Sequence, residues 1–184
     1  MTGAPGRPRK ATFAERRERR AAVDDLDEVI AFAARYLEAR PRSVAEVRRR
    51  LATAGYRPEM IDATVTRLTD LRFLDDEAFA RAWVESRDRA HPRGAQALRR
   101  ELALKGVDRT LADAILAERR SPAGEPDADV AAAERLLERN ARTLARVDDP
   151  RLRRQRAYAL LARHGFDPSV ASDAARRLVS EGDD

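Results

Sequence analysis

The chain has 184 residues, 43% of them hydrophobic and 38% charged, with no cysteine and a formal net charge of +5. Against roughly 25% charge in an average globular protein, this composition supports only a thin core along amphipathic helices, and the lack of thiols excludes disulfides and thiolate metal sites. No apolar run approaches the roughly 18 residues of a membrane span, and Met1 to Val23 is polar and basic without a secretory-type apolar segment, so a cytoplasmic location is expected.

The positive balance is local. Residues 1–23 hold Arg7, Arg9, Lys10, Arg16, Arg17, Arg19 and Arg20 against Glu15 and Glu18, which leaves 30 basic and 30 acidic residues in the remainder. Residues 1–23 read as a flexible basic arm. Phe13 to Val23 could extend the first helix, but its apolar content is low.

From Asp24 to Arg40 the chain carries Leu26, Val29, Ile30, Phe32, Ala33, Tyr36 and Leu37 at helical spacing, and Pro41 ends the segment. Ser43 and Glu46 form a capping box ahead of Val44, Val47 and Leu51. A third helix uses Met60, Ile61, Val65, Leu68 and Leu71. The second group opens at Asp75 with an acidic first turn and carries Phe79, Ala82 and Trp83 as far as His91. After Pro92, Gly94 to Lys105 uses Leu98, Leu102 and Leu104, and Asp108 to Arg119 uses Leu111, Ile115 and Leu116. The breaker cluster from Ser121 to Pro126 reads as a linker. The third group runs Asp127 to Val147, Pro150 to His164 and Pro168 to Val179.

A repeat shows through this order. The pattern Leu-x-x-x-Gly-apolar occurs at Leu51–Gly55–Tyr56, Leu102–Gly106–Val107 and Leu161–Gly165–Phe166, with the glycines 51 and 59 residues apart. Each glycine suits a left-handed helix cap, the next apolar residue can pack back on the helix end, and another helix follows at once. Asp108 and Asp167 suit N-caps, and Pro58 and Pro168 suit the first helical turn. The expected fold is all-α: a basic arm at 1–23, three-helix repeats at 24–72 and 73–121, a linker at 122–126 and a third repeat at 127–184.

Charge is segregated among these helices. The second helix of each repeat is basic: Arg48, Arg49 and Arg50; then Arg99, Arg100 and Lys105; then Arg151, Arg153, Arg154, Arg156 and Arg163. The opening helices of the first two repeats are acidic. Any single cluster reads as a solvated face. Its recurrence at one place in three repeats points to a functional stripe that meets phosphates or an acidic protein surface. Arg48, Arg49, Arg99, Arg100, Arg153, Arg154 and Arg156 are the candidate contacts.

Catalysis finds no support in these residues. His91 precedes Pro92 at a helix end, and His164 precedes a glycine cap, where a cation suits the helix dipole. Asp75-Asp76-Glu77 reads as an acidic first turn with no second ligand cluster beside it, so neither metal nor cofactor is expected. Phe79 and Trp83, one turn apart, read as core. Tyr36, Tyr56, Phe73 and Phe166 read as core or cap residues.

Three stretches resemble the RecX family of recombinase regulators: Tyr36 to Leu51 (YLEARPRSVAEVRRRL), Phe73 to Arg87 (FLDDEAFARAWVESR) and Arg99 to Val107 (RRELALKGV). The Leu-Asp-Asp-x-x-Phe-Ala segment together with the upstream Arg-Ser-x-x-Glu box, Arg42 to Glu46, carries the resemblance, which spans residues 24 to 182 and is looser in the third repeat. It implies three three-helix repeats in an elongated, curved array. It also implies a regulator that binds the RecA recombinase along the groove of the RecA–DNA filament and restrains filament growth, ATP hydrolysis and strand exchange. A monomer without cofactor, acting on RecA with weak direct DNA contact, is the resulting expectation. The rival is a direct DNA-binding protein, favoured by the basic arm and by helix–Gly turn–helix pairs. The near-neutral remainder of the chain counts against it.

Overall fold

A computed structural model describes residues 12–119 and 127–180. Among these the chain is helical throughout: α1 (Phe13–Ala21), α2 (Leu26–Leu37), α3 (Val44–Ala54), α4 (Pro58–Asp70), α5 (Asp76–Ala90), α6 (Ala95–Lys105), α7 (Arg109–Glu118), α8 (Ala128–Arg139), the single turn α9 (Ala141–Leu144), α10 (Pro150–Arg163) and α11 (Pro168–Ser180). The chain divides into two compact units, Met1–Asp75 and Asp76–Asp184.

In the first unit α2, α3 and α4 pack on one another around Val29, Ala33, Val47, Leu51, Ile61, Val65 and Leu68. The Ser43–Glu46 capping box forms as the sequence predicts: the Glu46 N–H donates to Ser43 Oγ at 3.1 Å and the Ser43 N–H to Glu46 Oε2 at 3.3 Å. Both residues are buried, so each satisfies backbone that water cannot reach. At the α3 end Gly55 takes φ +105°. The Tyr56 N–H then reaches back to the Leu51 carbonyl at 3.3 Å, and the Tyr56 ring is buried edge-on to Phe32, centroids 5.4 Å apart.

Residues 1–11 of the expected arm and the 122–126 linker lie outside the described residues. Residues 13–21, also assigned to the arm, form α1 instead. Thr12 and Glu15 make a second capping box, and α1 packs on α3. Its anchor is electrostatic, because α1 buries no side chain. The Arg20 guanidinium lies 4.7 Å from the Phe32 ring centroid and 5.9 Å from that of Tyr56, a cation–π contact that low apolar content does not reveal.

The second unit holds the other two groups. Phe79, Ala80, Val84, Leu98, Leu102, Ala112, Ile115 and Leu116 form one core. Ala132, Ala133, Leu136, Leu137, Leu144, Ala157, Leu161, Phe166, Ala171, Ala174 and Ala175 form the other. The glycine turns recur with φ +80° at Gly106 and +79° at Gly165, closed by Val107 N–H to Leu102 O at 3.1 Å and Phe166 N–H to Leu161 O at 3.3 Å.

The two groups are joined by polar contacts. Arg119 is 7% exposed and pairs with Asp88 at 2.5 Å and with Asp129. Arg139 donates to the Ala90 and Arg89 carbonyls at 2.6 and 2.7 Å. The Gly94 N–H donates to the His164 carbonyl at 3.1 Å, and a Cβ at Gly94 would run into the Gly165 backbone.

Four further expectations need correction. The segment from Asp127 to Val147 is not one helix: α8 stops at Asn140, whose side-chain amide donates to the Leu136 carbonyl at 2.8 Å. Leu104 is 76% exposed, because it stands two residues from buried Leu102 and so points to nearly the opposite side of α6. Leu71 lies beyond the end of α4 and is exposed. Phe73 is 67% exposed. There the chain reverses through Arg72 at φ +60°, the N–H groups of Phe73 and Leu74 both reach the Leu68 carbonyl, and Leu74 takes the buried place.

Candidate partner-binding surface

The basic second helices are α3, α6 and α10. On α3, Arg48, Arg49 and Arg50 are exposed. Arg48 pairs with Asp62 of α4. Arg49 and Arg50 line a shallow pocket with Tyr36, Glu46 and Thr53. The Arg50 guanidinium lies 5.3 Å from the Phe32 ring centroid and 5.7 Å from that of Tyr36, and Arg42 covers Tyr36 at 4.1 Å. This end of the first unit is therefore a layer of guanidinium groups on aromatic rings, a planar cationic face suited to planar anions.

On α6, Arg99 pairs with Asp113 of α7 at 2.5 Å. That donated hydrogen bond holds the Asp113 carboxyl below the usual carboxylate range. Arg99 also opens on a cleft of about 440 Å³ lined by Asp113, Asp127, Asp129 and Asp167, so its charge is offset locally. Arg100 is exposed, with its Nε donating to the Gln96 carbonyl at 3.3 Å. Beside them Trp83 is held by Glu101, which accepts from the indole N–H at 2.9 Å, and by Arg87 and Lys105 at 4.2 and 4.8 Å from its ring.

On α10 the three remaining candidates differ in their surroundings. Arg153 is half-buried and donates to the Val147 carbonyl at 3.0 Å. Arg154 and Arg156 are exposed, and among the described residues no carboxylate pairs with either. Arg154 lines a groove of about 500 Å³ between α10 and α11 with Arg151, Gln155, Tyr158, Ser172, Ala175 and Arg176. Within the second unit the structure thus separates Arg99, which faces aspartates, from Arg154, which faces hydroxyls and other cations.

Comparison with known proteins decides the family. Domain models of RecX match in order: the first three-helix domain at residues 30–68, the second at 75–116 and the third at 127–174. The chain belongs to the RecX family. Relatives named "Regulatory protein RecX" include one from Mycobacterium avium (strain 104), 38% identical over 76% of this chain and 78% of its own length. Another, from Chlorobium limicola, is 30% identical over 85% of this chain and 92% of its own. The fold is similar to the crystal structure of RecX from Lactobacillus salivarius, with a TM-score of 0.73 at 21% identity over 84% of this chain and 97% of that one.

In a RecX chain the Leu74-Asp75-Asp76-Glu77 segment and the Arg42-Ser43 box have structural duties. Leu74 is buried, Asp75 pairs with Arg72 at 3.6 Å, Glu77 pairs with Arg81 at 3.0 Å, and Ser43 caps α3. Among the described residues no helix is long and apolar enough to cross a membrane. The basic run of the third repeat takes in Arg151 and Arg154 but not the groove residues Tyr158, Ser172 and Arg176, because the first two are uncharged and the third lies far away in sequence. Counting positions from each capping glycine would have found them.

Proposed function

We propose that this RecX-family protein regulates the RecA recombinase by binding the RecA–DNA filament, and that it restrains filament growth, ATP hydrolysis and strand exchange in recombinational repair and the damage response. The observation that carries this reading is the uninterrupted series of all three RecX domains along one chain, shared with relatives named as regulatory proteins. The protein acts as a monomer by binding rather than by chemistry. Several weak contacts on linked repeats reach useful affinity through effective concentration, and a body laid across neighbouring RecA subunits competes with monomer addition and strand engagement.

Arg48, Arg49, Arg99, Arg100, Arg153, Arg154 and Arg156 are the proposed contacts. Arg100, Arg154 and Arg156 lead that set, since each is exposed and free of a carboxylate among the described residues. Arg48 and Arg99 would have to exchange an internal aspartate for a partner group.

Direct DNA binding is the second reading, supported by the net positive charge of residues 1–23. Fluorescence anisotropy of a labelled single-stranded oligonucleotide, with and without RecA, separates the two. Binding of this protein that requires RecA supports the filament reading. Binding to naked DNA with a steep salt dependence supports the rival.

A further inference from the structure

Counted from its capping glycine, the third repeat differs from the other two at the positions that carry their ion pair. Seven residues before the glycine stand Arg48, Arg99 and Tyr158; seven residues after it stand Asp62, Asp113 and Ser172. In the first two repeats these positions form the ion pairs Arg48–Asp62 and Arg99–Asp113, which bridge the second and third helices. In the third repeat both charges are gone, and the same place is a groove of about 500 Å³ floored by Tyr158, Ser172 and Ala175.

Cations have moved to its rim. Arg151, Arg154 and Arg176 stand where the first repeat has Pro41, Val44 and Thr66 and the second has Pro92, Ala95 and Ala117. Arg176 is held by Asp173 at 2.5 Å. Among the described residues Arg151 and Arg154 pair with no carboxylate. Tyr158 is 38% exposed, and the amide of Gln155 and the hydroxyls of Tyr158 and Ser172 add neutral donors. The groove therefore has donors on several sides and lacks the acceptor that fills the equivalent place twice elsewhere in the chain.

The geometry points to this α10–α11 groove as a docking site for an acidic segment of a protein partner, whose carboxylate takes the place that Asp62 and Asp113 take in the other repeats. Charge complementarity and the internal precedent name the occupant as a carboxylate-bearing peptide. Two uncompensated guanidinium groups suit one or two carboxylates, whereas tracking a nucleic-acid backbone takes a longer cationic row. The site deepens the regulatory reading by giving the protein partner a contact point. It is tested without RecA, so the two can fail separately.

The test uses the full chain and a fluorescein-labelled peptide of glutamate and alanine, about twelve residues long so that it can span about three helical turns. Anisotropy is recorded for the wild type, for Arg151→Glu/Arg154→Glu and for Tyr158→Arg/Ser172→Asp. The last transplants the internal ion pair of the first two repeats and so is compatible with the fold. Circular dichroism checks that each variant keeps its helicity. The expected result is salt-sensitive binding of the peptide that weakens at least about tenfold in both variants, with no binding of a glutamine–alanine control. Equal binding by wild type and both variants, or no binding by the wild type, overturns the proposal. So does a single-stranded oligonucleotide that binds in place of the peptide and is lost in the same variants, which would make the groove a nucleic-acid site.

Discussion

Thr64 sits fully buried in the core of the first repeat, and its hydroxyl has no hydrogen-bond partner among the described residues. A buried polar group without a partner costs free energy that a methyl would not. Thr64→Val is expected to leave stability unchanged or to raise it by about 1 kcal/mol, read from chemical denaturation; a loss of more than that would reveal a hidden partner. Arg119 is the opposite case. Asp88 and Asp129 both pair with it, Asp129 also accepts from the Ala95 N–H at 3.1 Å, and the Arg119 side chain is almost wholly enclosed. Its pKa lies above the ordinary arginine value because the two carboxylates outweigh the cost of its burial. Arg119→Ala leaves two carboxylates without their cation and is expected to cost about 3–5 kcal/mol. Arg119→Lys restores the charge but not the planar fork and should recover only part of the loss. The exposed Arg99–Asp113 pair is a smaller matter with a definite sign. The folded pKa of Asp113 is depressed, so its contribution is present above the unfolded value near ~3.9 and is lost as pH falls through the lower folded value. The thermal midpoints of wild type and Asp113→Asn should therefore converge in acid, and a gap that persists below that range would contradict the assignment.

At the scale of elements, what the sequence makes legible is local. Capping boxes, N1 prolines and left-handed glycines are set by a few neighbouring residues, so Ser43–Glu46, Pro58, Gly55, Gly106 and Gly165 stand where the pattern puts them. The docking of α1 is not local. Arg20 finds its place only once Phe32 and Tyr56, on α2 and after α3, have come together. Asn140 breaks the expected long helix because its amide turns back on the Leu136 carbonyl, a competition that apolar periodicity does not register. The α10–α11 groove escaped notice for a related reason: its chemistry lies in the absence of Arg and Asp at two positions, visible only against the other repeats. Gly94 makes a sharp test of packing between elements. Its φ is an ordinary −74°, so alanine is not strained there, yet the new Cβ would meet the Gly165 carbonyl. Gly94→Ala is expected to destabilise by about 1–3 kcal/mol through overpacking. A neutral result would mean that the contact between the Gly94 and Gly165 turns is loose.

For the molecule as a whole, the family assignment rests on three consecutive domain matches and on relatives that are at least 30% identical over most of the chain. Within the second unit, Arg119, Arg139 and the Gly94–His164 hydrogen bond tie the second domain to the third, so hydrogen exchange should find α5–α7 and α8–α11 weakened together by Arg119→Ala. The proposed regulation asks more of the chain than stability. It requires that exposed arginines on successive repeats engage a repeating partner, and Arg153→Ala/Arg154→Ala/Arg156→Ala should weaken filament binding while helicity is kept. The most direct test of the central claim is the DNA-dependent ATPase of RecA on single-stranded DNA, with the 184-residue chain titrated in below one molecule per RecA. Inhibition at clearly substoichiometric amounts is the predicted result, since one bound regulator then affects several subunits of a filament. No inhibition even at saturation, with the protein folded and its binding to naked DNA intact, would contradict the account and favour direct DNA binding.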